Sequence, residues 1–118
     1  MRNWKDEDFW NVSEPVLVFV YGTLRNDSQS KFLGDHATEP NYTLYDLGGF
    51  PGTVPGGETS IIGQVLSVPP HRFYGMLRYE GFPTLYRIHV VDTQWGEAAM
   101  FVYNRDPARG TKVESGEW

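Results

Sequence analysis

The 118-residue sequence contains no cysteine. Disulfides, thiolate nucleophiles and Cys-ligated metals are therefore excluded together. Basic residues are also scarce: ten Lys and Arg face fifteen Asp and Glu, for a formal net charge of -5. That balance does not suit broad neutralisation of phosphates, so no nucleic-acid partner is expected. No stretch approaches the ~18 consecutive apolar residues that a membrane span requires. The first eight residues, Met1 to Asp8, alternate in charge and carry no apolar signal core. A cytoplasmic protein with no membrane partner is expected.

Chemical signatures are missing as well. Gly48-Gly49 and Gly56-Gly57 lack the spacing and the following Lys of a phosphate-cradling loop. No Ser occupies a Gly-x-Ser-x-Gly elbow. His36, His71 and His89 match no metal-ligand spacing. His89 sits in an apolar run and reads as a satisfied, partly buried residue. No metal site is expected from these spacings.

What is abundant is punctuation: 13 Gly and 8 Pro, about 18% against an average near 12%. With 40% hydrophobic residues the chain can build one core, hiding roughly two-thirds of its unfolded surface. Residues 1–14 read as a polar arm in which Trp4, Phe9 and Trp10 offer docking points, although a loosely held terminus fits equally. Residues 15–118 read as one domain.

Val16 to Tyr21 is a continuous β-branched and aromatic run, the pattern of a strand buried on both faces. Asp27 or Ser28 can cap a short helix through Phe32-Leu33, closed by Gly34. Tyr42 to Leu47 alternates as a half-buried strand, and Gly48 to Gly57 reads as a long Gly/Pro loop. A further strand is expected over Ile61–Val68. Pro69-Pro70 then opens a helix carrying Phe73, Met76 and Leu77 on one face to about Tyr79. Leu85–Val91 and Ala98–Tyr103 form a hairpin around Thr93 to Gly96. Many short strands and few helices indicate an α+β fold around a curled sheet or small barrel.

Two segments invite chemistry. At Tyr21-Gly22-Thr23-Leu24-Arg25 a buried strand empties into a glycine, which leaves the next N–H groups free to meet a carboxylate or oxyanion. An ordinary strand-to-helix turn explains the same pattern. Glu80 follows a helix among Phe73, Tyr79, Phe82 and Tyr86. Burial there raises a carboxyl pKa and suits it to general acid/base work. A solvent-exposed Glu paired with Arg78 or Arg87 is the simpler alternative. Tyr86 and Arg87 are strand neighbours, so one faces a pocket if the other faces water.

In this order, Val18 to Arg25, Phe32-Leu33-Gly34, Leu44 to Gly52, Ile62 to Val65, Tyr79-Glu80-Gly81-Phe82-Pro83 and Tyr86-Arg87 resemble the γ-glutamyl cyclotransferase-like superfamily. The closing Glu114-Ser115-Gly116-Glu117-Trp118 resembles the ending of a bacterial branch. The resemblance implies a small mixed β-barrel with short flanking helices, no metal or organic cofactor, and an intramolecular aminolysis: a γ-glutamyl group cyclises to 5-oxoproline and releases an amine or amino acid. Selectivity for that leaving group would lie in the loops around Gly48 to Gly57 and at the pocket mouth. It implies Glu80 as catalytic acid/base and Tyr21, Gly22, Thr23, Leu24 and Arg25, with Tyr86, as residues around a small-molecule γ-glutamyl substrate. Met76-Leu77 departs from the Leu-Asp of many relatives. A non-catalytic module binding a glutamyl-like ligand or a protein partner is the alternative, as is a hydrolase or transferase on the same scaffold. A monomer or weak homodimer is expected.

Overall fold

The computed structural model describes all residues, 1–118. The run at Val16–Val20 (β1) is the centre of a five-stranded sheet. It pairs antiparallel with Ile62–Val68 (β5) and parallel with Gly96–Tyr103 (β7). Lys31–Ala37 (β2) borders β5 and Tyr86–Thr93 (β6) borders β7, giving the order β2-β5-β1-β7-β6. A second sheet of three strands sets Pro51–Pro55 (β4) beside Tyr42–Asp46 (β3) and Thr111–Lys112 (β8).

Two cores explain why β1 is apolar on both faces. On one face Val16, Val18 and Val20 pack with Phe73, Met76 and Leu77 of the helix Pro70–Tyr79 (α2). On the other, Phe19 and Tyr21 meet Tyr42, Leu44 and Ile61. A helix layer, a five-stranded sheet and a three-stranded sheet result. The α+β class read from the sequence is the one observed. The strands remain two separate sheets, so the curl does not close into a barrel. No helix is long and apolar enough to cross a membrane.

Two local expectations are corrected, and a third is decided between its alternatives. The segment around Phe32-Leu33-Gly34 is strand β2, not a helix, with a bulge between Phe32 and Gly34. Gly34 is required there because a Cβ would lie 2.5 Å from the Trp95 ring, a packing constraint that imitates a helix-ending glycine. The stretch from Gly48 to Gly57 is not one long loop. Gly48 and Gly49, both at positive φ, make a two-residue hairpin turn closed by Leu47 N–H donating to the Phe50 carbonyl at 2.9 Å. Strand β4 follows at the edge of its sheet, where its terminal prolines leave no ladder bond unmade. Of the two readings of residues 1–14, docking is the one observed, and the segment contributes to the core. A short turn of helix at Asp6–Phe9 (α1) buries Phe9 against Phe82, and Trp10 stacks on Tyr74. Ion pairs from Arg87 to Asp6 at 2.8 Å and from Arg2 to Asp92 at 2.6 Å fasten the same segment to β6.

Candidate functional site

The chain leaves β1 at Tyr21 and turns sharply through Gly22. A Cβ at Gly22 would stand 2.7 Å from Cγ of Pro51, so only glycine lets the turn pass beneath the start of β4. Arg25 N–H donates to the Gly22 carbonyl at 3.1 Å. No protein acceptor takes the N–H groups of Gly22, Thr23 or Leu24. Two side-chain ties hold this loop in place. Asn26 and Gln64 exchange hydrogen bonds at 2.8 and 3.1 Å. Asp27 receives a bidentate Arg72 from α2 at 2.8 and 3.1 Å. Burial opposes ionisation of Asp27, but the Arg72 hydrogen bonds outweigh it and hold its carboxyl below the ordinary value.

Glu80 arrives from the other direction. Helix α2 ends in a full Schellman motif: Gly81 N–H donates to the Arg78 carbonyl at 3.1 Å and Phe82 N–H to the Leu77 carbonyl at 2.9 Å. Gly81 takes the required left-handed conformation, φ 65°. Glu80 is thereby fixed as the last residue before the turn. Its carboxylate makes no ion pair with Arg78 or Arg87; Arg87 is engaged by Asp6 instead. Burial pushes the Glu80 carboxyl from 4.5 up to about 7. Its place at the negative end of a helix acts in the same sense.

The two elements meet in one cavity of about 180 Å³. Glu80 lines it together with Tyr21, Gly22, Thr23, Leu24 and Tyr86. Glu80 is the one charged residue among the lining side chains. Both tyrosines are structural ties. The Tyr21 hydroxyl donates to the Phe101 carbonyl at 2.7 Å and accepts the Thr53 N–H at 3.2 Å, joining the two sheets. The Tyr86 hydroxyl donates to the Pro51 carbonyl at 2.7 Å. Burial pushes both phenols above their ordinary value, so neither exchanges protons near neutrality.

Other sequence candidates fall elsewhere. Arg25 is outside the lining, its Nε turned back to the Gly22 carbonyl at 3.4 Å. Arg87 points away from the cavity into its ion pair with Asp6, while Tyr86 faces inward, as strand alternation requires. His89 is exposed rather than part of the core, with Nδ1 3.1 Å from the Tyr42 hydroxyl. Leu77 is fully buried among Phe9, Met76 and Phe82, an apolar plug rather than a cavity group. Phe50 and Pro51, from the Gly48 to Gly57 stretch that the sequence already suggests as a place for leaving-group selectivity, complete the lining, and Leu85 joins them without a signal in the sequence. The Gly48-Gly49 pair before Phe50 was the available signal, since a two-residue turn there folds Phe50-Pro51 back over the β1 exit.

Known proteins share this sequence pattern and this fold. The sequence model of the family described as Gamma-glutamyl cyclotransferase, AIG2-like, matches residues 18–118. The Escherichia coli K12 protein YtfP, named a gamma-glutamylcyclotransferase family protein, is 37% identical over 113 residues, covering 87% of this chain and 96% of its own. The solution structure of Escherichia coli YtfP superposes with a TM-score of 0.74, 30% identity and coverage of 87% and 96%. A crystal structure of an uncharacterized Pyrococcus horikoshii protein gives 0.75 at 30% identity, covering 86% of this chain and 88% of that one. The chain belongs to the gamma-glutamyl cyclotransferase, AIG2-like family.

Proposed function

We propose that the protein cyclises a γ-glutamyl group to 5-oxoproline and releases an amine or amino acid. The observation that carries this reading is the unpaired Glu80 carboxyl, held near pKa 7, in one cavity with Gly22, Thr23 and Leu24, whose N–H groups have no protein acceptor. The nucleophile is the substrate's own α-amine, so the protein has mainly to fold the substrate toward ring closure. In the cavity the Gly22–Leu24 amides receive the glutamyl oxygens. Glu80 takes a proton from the α-amine as its nitrogen bonds to the δ-carbon. The same proton passes to the departing nitrogen as the original C–N bond breaks. Atoms and charge balance within the substrate, and Glu80 ends as it began. A carboxyl with pKa near the working pH is suited to both halves of that transfer.

The test is direct. Glu80→Gln keeps the shape and removes the proton acceptor. The expected loss in 5-oxoproline release, followed by mass spectrometry with γ-glutamyl substrates, is on the order of 10²–10⁴. Undiminished turnover in that variant removes Glu80 from the mechanism.

A further inference from the structure

Three of the six large hydrophobic residues that the chain leaves exposed belong to the lining of the Glu80 cavity: Phe50 at 43%, Tyr79 at 62% and Leu85 at 37%. Isolated exposed apolar side chains are ordinary, but a cluster around one concave site marks a binding surface. The three come from separate parts of the fold. Phe50 follows the Gly48-Gly49 turn, whose amides are pinned by the Asp46 carboxylate at 2.9 and 3.1 Å. Tyr79 ends α2. Leu85 packs on the Gly81 turn, where its N–H donates to the Gly81 carbonyl at 2.9 Å. Each is thus held by a hydrogen-bonded turn or a helix end rather than by collapse onto its neighbours.

The cavity, at about 180 Å³, is smaller than the roughly 300–1,000 Å³ of a pocket enclosing a whole drug-sized ligand. It has room for the compact reacting head of a substrate but not for the group leaving it. No Lys, Arg or His lines it, so nothing there compensates a second charge carried by that group. Resting on the cyclisation reading, we propose that Phe50, Tyr79 and Leu85 form a leaving-group subsite that selects γ-glutamyl compounds whose departing amino acid or amine carries an apolar, preferably aromatic, side chain. Such a side chain laid across this rim removes apolar surface from water on both partners. Burying roughly 55 Å² at about 25 cal/mol per Å² corresponds to about a tenfold gain in affinity.

The experiment measures binding as well as turnover. Calorimetry on Glu80→Gln compares γ-glutamyl-phenylalanine, γ-glutamyl-alanine and γ-glutamyl-glutamine, the last a polar control of extended length. The phenylalanine compound is expected to bind about tenfold tighter than either of the others. Tyr79→Ser and Phe50→Ser, each added separately, are expected to bring that ratio toward one, with thermal melts confirming the fold. Equal affinities, a glutamine compound as tight as the phenylalanine one, a ratio that survives both substitutions, or no binding of the phenylalanine compound each overturn the proposal. The unmodified protein given the same three compounds tests the chemistry separately. Release of 5-oxoproline without side-chain preference overturns the subsite alone. Selective binding with no product overturns the cyclisation and leaves the subsite standing.

Discussion

Glu80→Gln should make the protein more stable while making it inactive, and the gain should depend on pH. Burial raises the folded-state carboxyl from 4.5 to about 7, so the fold favours the protonated form. Its contribution to stability is complete below about pH 4.5 and is lost as pH rises through 7. At about 1.4 kcal/mol per pH unit, the gap corresponds to about 3.5 kcal/mol, and to about 2 kcal/mol once solvent reaching the open side of the cavity is allowed for. Glutamine cannot ionise and escapes the cost. Two kcal/mol in a domain of this size is about 8 °C in Tm. Thermal melts of the two proteins from pH 4 to pH 9 provide the assay. The difference should be near zero at pH 4, grow between pH 5 and 7, and level off above pH 8. Other titrating groups are common to both proteins and cancel. Parallel melting curves across the whole range would show that Glu80 pays no burial penalty, and the argument for a proton-transfer group tuned to neutrality would fall with it.

Two further substitutions probe the scaffold. Gly22→Ala drives a Cβ against the Pro51 ring; a loss of about 1–3 kcal/mol in denaturant unfolding is expected from the forced shift. The same shift moves the carbonyl that holds Tyr86, so KM for a γ-glutamyl substrate should rise. Phe9→Ala empties a core position that is 5% exposed and should cost about 3–5 kcal/mol. Unchanged urea unfolding in that variant would place the first fourteen residues outside the cooperative unit.

The central strand, the helix opened by Pro69-Pro70 and the β6–β7 hairpin were legible because each had a local signature: apolar continuity, a tolerated proline and a short polar turn. The juxtaposition of Glu80 with Gly22–Leu24 was legible only as a resemblance, because nothing in either segment specifies a contact across nearly sixty residues. Misreadings arose where one residue type serves two purposes. Gly34 makes room for an indole from another hairpin, yet in sequence it resembles a helix stop. Docking of Phe9 and Trp10 stayed an alternative in the sequence, because a short aromatic pair beside Asp6, Glu7 and Asp8 is too brief to show a helical period. Arg25 was placed at the site by proximity in the motif, but one turn of backbone carries it outside the lining.

The phenols of Tyr21 and Tyr86 act as rivets between the layers beneath the cavity. A rivet fixes spacing, so the floor and the acidic group above it cannot be widened without unfastening two sheets. The rim is built otherwise: Phe50 rides on a two-glycine turn that touches little else. Exchanges of residues at that turn can therefore reshape the mouth of the cavity while leaving its floor intact.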